Sequence, residues 1–116
     1  MASIRRIEKL NMLLQEELAR IIDREADLPV GTILTVTRVT ISPDAHYATV
    51  FVSLLGKNPK EALEILKKNV YTIQQMLNRR VKMRPVPKIR FEIDKAELQR
   101  EKVERALAKL KRKREM

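Results

Sequence analysis

The chain has 116 residues and a formal net charge of +10, and 44% of its residues are apolar. This length suits one domain with a single hydrophobic core. The absence of cysteine and the single histidine exclude disulfides and a cysteine- or histidine-based zinc site. No run approaches the roughly 18 apolar residues of a membrane span, and no apolar signal peptide core is present. We therefore expect a cytoplasmic protein with no membrane partner and no cofactor.

The positive charge is concentrated in the last third of the chain. Residues 1–77 contain ten basic and nine acidic residues, whereas residues 78–90 contain six basic residues and no acidic one. Residues 95–116 contain nine basic and four acidic residues. A localised cationic excess favours a polyanionic partner, although a solubilising surface would have the same composition. Because aromatic residues make up only 3% of the chain, stacking of bases on a row of exposed rings is not expected to be the main binding device.

The first half of the chain predicts a helix followed by a β-hairpin. Apolar residues recur at steps of three and four from Ile4 to Ile22, which predicts a helix that starts after the capping residue Ser3 and ends near Glu25. Residues 32–42 and 47–54 are rich in Thr, Val and Ile and predict two strands. The sequence Ser42-Pro43-Asp44 is typical of the turn that joins them.

A long helix is predicted next. Asn58 and Glu61 form a capping-box pattern, with Pro59 at the first helical position. Helical spacing of apolar residues continues from there to about Met83. A helix of this length needs a bend to cover a small sheet, and we place the bend near residues 69–71 because Asn is a poor helix former.

A third strand and a charged tail complete the chain. Four apolar residues, from Pro87 to Ile93, alternate with charged residues, which predicts a strand with one buried face. Residues 96–116 have a sparse apolar stripe amid dense charge and predict either a solvated helix or a segment that orders upon binding. The expected organisation is a domain over residues 1–95 and a basic extension, helical or disordered, over residues 96–116.

Three segments together resemble the ribosome-binding factor A family. They read TVTRVTISPD over residues 35–44, ATVFVS over residues 48–53 and RPVPKIRFEID over residues 84–94. The Arg5-Arg6 start of the first helix also fits. The resemblance covers about residues 3–100, and its specificity comes from the order and spacing of the segments.

The resemblance implies an α+β fold of the type II KH-like kind, with the order α-β-β-α-α-β and a three-stranded sheet packed against helices. It also implies a monomeric, non-catalytic factor that binds the immature small (30S) ribosomal subunit. Such factors assist late maturation and 5′-end processing of 16S rRNA and support growth at low temperature. The family often has an Ala-x-Gly bend between its last two helices, whereas this chain has Asn69-Val70-Tyr71. The missing Gly-x-x-Gly loop argues against an ordinary KH clamp on four nucleotides.

Catalysis has little support in the sequence. His46 lies in the predicted turn with Ser42 and Asp44, and three residues of one turn do not easily adopt the geometry of a catalytic triad. No glycine-rich phosphate loop is present, since the only glycines are Gly31 and Gly56. We therefore expect a protein that is not an enzyme.

Ten basic residues are the candidates for RNA contact, and most of them are expected to form one surface along the last helix and strand. Arginine is favoured over lysine where phosphate is held by two parallel hydrogen bonds. Arg84 has an alternative role at the helix C-terminus. The ten are Arg5, Arg6, Lys67, Lys68, Arg79, Arg80, Lys82, Arg84, Lys88 and Arg90.

Two further interpretations stay open at this point. The same fold could be a generic module for single-stranded RNA, which would bind bare oligonucleotides as well as it binds whole subunits. It could also be a protein–protein adaptor, whose binding would be insensitive to salt and to replacement of Arg79 and Arg80 by glutamate.

Overall fold

The computed structural model describes the backbone of residues 4–115 and the side chains of residues 5–96 and 102–111. The predicted order α-β-β-α-α-β is confirmed, and a fourth helix follows the last strand. The predicted cap Ser3 and the end of the basic tail, residues 112–116, lie outside the described side chains. The elements are α1 (Ile4–Glu25), β1 (Ile33–Ile41), β2 (Tyr47–Leu55), α2 (Pro59–Lys68), α3 (Val70–Arg80), β3 (Lys88–Ile93) and α4 (Lys95–Glu115).

The three strands form one sheet in the order β1-β2-β3. Strands β1 and β2 are antiparallel, as expected of a hairpin, and β3 runs parallel to β2. A parallel neighbour requires a crossover connection, which α2 and α3 provide. The arrangement is the expected type II KH-like fold, and it leaves β1 and β3 at the two edges of the sheet.

Strand β1 contains a bulge at Thr37. Its pairing with β2 shifts by one residue between Val36 and Arg38. Thr37 and Arg38 therefore both lie on the face away from the helices, while Val36 and Val39 are both buried. Residues three apart in a regular strand would lie on opposite faces, so the bulge is what brings both valines into the core.

Helices α1, α2 and α3 cover one face of the sheet. Helix α1 packs against β1 and α3, and helices α2 and α3 pack against β3. The apolar alternation predicted for β2 and β3 faces this helix layer. Fully or almost fully buried side chains of the core include Leu14, Leu18, Ile21, Val50, Val52, Leu66, Ile73, Leu77, Ile89 and Phe91.

The long helix predicted from residue 59 to about residue 83 is two helices, separated at Asn69. The Asn69 side-chain amide donates to the Ile65 carbonyl at 2.8 Å. The Asn69 backbone N–H donates to the same carbonyl at 3.1 Å. Asn69 thus closes the end of α2 with its side chain and its backbone, and the break lies at the predicted place without a glycine. Helix α3 ends at Arg80, earlier than predicted, because Val81 is extended (φ −99°, ψ 143°).

Helix α4 begins at the buried carboxylate of Asp94. Asp94 Oδ1 accepts a hydrogen bond from the Ala96 N–H at 3.1 Å and so caps the helix. Every described side chain from Lys102 to Lys111 is exposed, including Leu107 at 59%. Among the helices that the structure describes, none combines the length and the apolar character needed to cross a membrane.

Candidate nucleic-acid interface

A groove of about 390 Å³ lies between the α2–α3 junction and the edge of β3. Lys67 and Val70 line its helix side, and residues 89–92 line its strand side. Lys67 and Arg90 therefore both line the groove, although 23 positions separate them in the sequence. The Arg90 guanidinium contacts the Thr49 hydroxyl at 3.3 Å and the Glu92 carboxylate at 2.9 Å. A groove whose lining combines apolar residues with basic ones can accept a nucleotide base and its phosphate together. Glu92 also lines it and is neutralised by its ion pair with Arg90.

Gln74 of α3 ties the edge of β3 to the helix layer. Its Nε2 donates to the Pro87 carbonyl at 3.1 Å, and its Oε1 accepts from the Ile89 N–H at 2.9 Å. The side-chain amide thus pairs with the strand much as a neighbouring strand would. Both contacts flank Lys88 and fix the backbone that carries it. Gln74 was not among the sequence candidates, since a glutamine in a helix has no pattern that distinguishes it.

The edge of β3 also offers backbone groups to the groove. The Lys88 N–H donates to the His46 carbonyl, and the Asp94 N–H donates to the Val52 carbonyl. Backbone groups alternate in direction along a strand, so those of Phe91 face the groove. Backbone donors and acceptors beside cations can contact phosphate oxygens and base edges.

A second group of cations lies at the end of α3. Arg79, Arg80 and Lys82 are exposed there, as expected. The Arg80 guanidinium lies 3.3 Å from the Glu17 carboxylate of α1 and so joins the two helices. In the described part of the chain, Arg79 and Lys82 form no ion pair with an acidic side chain, which makes them the stronger candidates for binding phosphate.

Arg84 serves the end of α3. Its Nη1 donates to the Val81 carbonyl at 3.0 Å and to the Met83 carbonyl at 2.8 Å, and Nη2 lies 3.4 Å from the Asn78 carbonyl. A cation at this position is favoured by the partial negative charge of the helix C-terminus. The structure therefore places Arg84 in its alternative role, and it becomes the weakest of the ten candidates.

The remaining candidates lie at three places. Lys68 is exposed at the end of α2, and Lys88 is exposed on β3. Arg90 pairs with the Glu92 carboxylate at 2.9 Å. Arg5 and Arg6 are exposed on the first turn of α1, outside the set of residues that lines the groove.

The Ser42–Asp44 segment forms a turn held by its own side chains. The Ser42 hydroxyl donates to Asp44 Oδ1 at 2.6 Å, and the His46 N–H donates to the same oxygen at 3.1 Å. The hydroxyl bond, followed by the backbone bond, lowers the pKa of the Asp44 carboxyl from its ordinary value. The Ser42 hydroxyl thus donates to the Asp44 carboxylate, a contact that stabilises the turn. Among the described residues, no group of three or more His, Cys, Asp or Glu side chains could hold a metal ion.

The parallel third strand, the interrupted α2–α3 pair and the groove beside them define an α+β protein of the type II KH-like class. The family model described as ribosome-binding factor A matches residues 6–107. The chain belongs to the ribosome-binding factor A family.

Individual relatives agree with this assignment. The chain is 34% identical over 116 residues to ribosome-binding factor A of Protochlamydia amoebophila, covering 97% of this chain and 88% of that protein. The crystal structure of ribosome-binding factor A from Thermus thermophilus matches with a TM-score of 0.67 and 29% identity, covering 75% of this chain and 94% of that chain. A homology model of the Thermus thermophilus protein, fitted into a cryo-EM map of its complex with the 30S subunit, matches with a TM-score of 0.62 and 30% identity, covering 73% and 91%.

Proposed function

We propose that this protein binds the immature small ribosomal subunit in the cytoplasm and assists late maturation of its 16S rRNA, including processing of the 5′ end. It acts as a monomer, holds or positions rRNA, and breaks no covalent bond itself. Family membership supports the proposal, as does the Thermus thermophilus relative fitted into a map of a 30S complex. The observation that carries it in this chain is the groove bordered by Lys67 and Arg90.

The proposed interface consists of cations that packed elements hold at fixed spacing. Lys67 and Arg90 line the groove, and Lys88 precedes its strand side on β3. Arg79 and Lys82 extend the surface along the end of α3. Each phosphate that they neutralise releases condensed counterions, so binding weakens steeply with salt. Lys68, Arg80, Arg84, Arg5 and Arg6 are assigned to flanking contacts.

Helix α4 has a different part in this proposal. We assign residues 1–95 to the binding domain and residues 96–116 to an extension whose charge attracts rRNA over distance. The exposure of its described side chains supports this division, because a helix without tertiary contacts does not fix the position of its cations.

Co-sedimentation with immature small subunits in a sucrose gradient tests the proposal. The wild-type protein is expected to travel with free small subunits at low salt, and Arg79→Glu/Lys82→Glu is expected to stay near the top of the gradient. The matched control is Lys57→Glu/Lys60→Glu, which makes the same charge change at the start of α2. A wild-type protein found only in the soluble fraction, or equal losses in both variants, would contradict the proposal.

A generic single-stranded RNA-binding module is the second candidate function. The backbone groups of Phe91 at the groove favour it, because such groups can contact any nucleotide. Binding of bare oligonucleotides and of whole subunits by the same protein discriminates the two functions. Equal affinity per site would favour the generic module, and a clear preference for subunits favours the assembly factor.

A further inference from the structure

The face of the sheet turned away from the helices carries an ordered array of side chains. The strand register places these side chains in neighbouring rows across β1, β2 and β3. We call this array the open face. Its rows are Tyr47 beside Lys88, then Thr40, Thr49 and Arg90, then Arg38, Phe51 and Glu92.

Two flat groups of the open face are presented to solvent. The Tyr47 ring is 61% exposed. The Arg38 guanidinium lies 4.0 Å from the centroid of the Phe51 ring and stacks on it, while its side chain is 58% exposed. Tyr47 and Phe51 are four residues apart on β2, which corresponds to about 13 Å along the strand. This separation allows two bases of one strand to be bound at the same time.

Buried contacts hold the guanidinium in place. Asp94 Oδ2 lies 3.8 Å from Arg38 Nε and 2.6 Å from the Thr37 hydroxyl, and Asp94 is only 5% exposed. The bulge at Thr37 creates this arrangement, since it places Thr37 and Arg38 on the same face. Arg38 is therefore fixed on its inner side by Asp94 and Phe51, and its outer surface can receive a planar ligand.

Stacking, and not net charge, dominates the chemistry of the open face. Its cations are Arg38, Lys88 and Arg90, and Glu92 pairs with Arg90 at 2.9 Å. Together with the buried Asp94, the charges leave an excess of about one positive charge, which offers little phosphate attraction compared with the α3 end. Planar groups on a sheet stack on any base, because every base has a π-face.

We propose that the open face binds single-stranded RNA by stacking one base on Tyr47 and a second base on the outer surface of the Arg38 guanidinium. The Thr40 and Thr49 hydroxyls lie in the row between them, where they can contact the strand. Arg90 belongs to the open face and also borders the groove, so a strand that leaves the groove over β3 reaches this face directly. The inference rests on the proposed function, since it names a second contact of the same protein with RNA.

The test uses a fluorescein-labelled oligouridylate and the full-length protein. Tyr47→Leu is expected to weaken binding about tenfold at every salt concentration. The slope of log affinity against log salt stays unchanged, because no phosphate contact is lost. Tyr47→Phe is expected to bind like wild type, since it keeps the ring. Binding of a blunt RNA duplex is expected to stay unchanged, since its bases are already stacked.

Arg38 and a control residue complete the design. Arg38→Lys keeps the charge but removes the plane, so it is expected to weaken oligouridylate binding several-fold with the same salt slope. Leu55→Ala, at the exposed far end of β2, is the matched control and is expected to bind like wild type.

Three results would overturn the inference. In the first, Tyr47→Leu binds the oligouridylate as tightly as the wild type. In the second, Tyr47→Leu weakens binding of the RNA duplex as much as binding of the oligouridylate. In the third, Tyr47→Leu changes self-association of the protein and leaves RNA binding unchanged. If the inference fails while Arg79→Glu/Lys82→Glu still abolishes co-sedimentation with subunits, the proposed function stands. If wild-type protein also fails to co-sediment, the proposed function falls as well.

Discussion

Two cation-rich regions of this protein, residues 78–90 and helix α4, carry similar net charges of +6 (six basic, no acidic) and +5 (nine basic, four acidic). They differ in how firmly the rest of the fold holds those charges in place. In the first, neighbouring residues such as Val81 and Ile89 are buried, and Gln74 and Arg84 fix the backbone by hydrogen bonds. In the second, every described side chain from Lys102 to Lys111 faces solvent. The difference shows that the number of charges in a segment does not tell whether those charges have fixed positions.

Fixed positions matter for recognition. A cation on a packed element has already lost much of its conformational freedom on folding, so less freedom is lost upon binding. A cation on a solvated helix contributes attraction that acts over about a Debye length, and it selects no particular arrangement of phosphates. Specific contact is therefore expected from the packed body, and attraction is expected from α4.

The two regions are expected to differ most in how much a core substitution lowers the free energy of unfolding. Phe91→Ala is expected to destabilise the fold by about 3–5 kcal/mol, because the side chain is 4% exposed and its removal leaves a cavity. Leu107→Ala in α4 is the matched control and is expected to leave the urea midpoint unchanged. Similar losses in both variants would mean that α4 packs against the body.

The next effect concerns the edge of β3. Gln74→Leu keeps the side-chain volume but removes the two hydrogen bonds to β3 and a third to the Asn78 side chain. It is therefore expected to cost roughly 1–3 kcal/mol. Urea denaturation measures the loss, and amide hydrogen exchange is expected to speed up at Ile89. Unchanged exchange at Ile89 would show that another group holds this edge of the strand.

Removal of the extension gives a smaller effect on stability. A chain that ends at Lys95 lacks eight basic and four acidic residues. Its melting temperature is expected to match that of the full chain, since α4 contributes no buried described side chain after Ala96. Its salt dependence of RNA binding is expected to be shallower, because fewer counterions are released. A clear drop in melting temperature would contradict the division at residue 95.

The smallest effect is expected at the hairpin turn. The pKa of Asp44 is lowered in the folded state, so its contribution to stability is present above its ordinary value of 3.8 and is lost as the pH falls through the folded value. Ser42→Ala is expected to move the pKa of Asp44 back toward its ordinary value, as followed by NMR titration. No change in this pKa upon removal of the hydroxyl would contradict the assigned cause.

Periodicity allowed much of the fold to be predicted. The alternation in β2 and β3 identified the faces that carry Val50 and Phe91, and the weak helix former Asn69 marked the break between α2 and α3. Most candidate cations were correctly expected to be exposed, since charged residues off an apolar stripe face solvent. These features follow from the order of residues along one element.

Other features depend on contacts between elements. The Arg80–Glu17 pair joins residues 63 positions apart, and Gln74 meets β3 across a chain reversal. The low aromatic content argued against stacking, but it did not show that Tyr47 and Phe51 share the open face with Arg38. The sequence did contain one sign of the bulge: Val36 and Val39 are both apolar and three residues apart, which does not fit the two-residue alternation of a regular strand.

The sequence by itself determined the order of the elements, the apolar faces of α1, β2 and β3, and the membership in the ribosome-binding factor A family. These properties follow from the local spacing of apolar residues, because the period of that spacing decides which face of each helix or strand is buried. Only the tertiary structure decided which cations stay available, that Lys67 and Arg90 share a groove, and that Arg38 is held flat against Phe51. Such relations depend on how the chain crosses over between β2 and β3, and no local pattern specifies the distances between side chains that the crossover brings together.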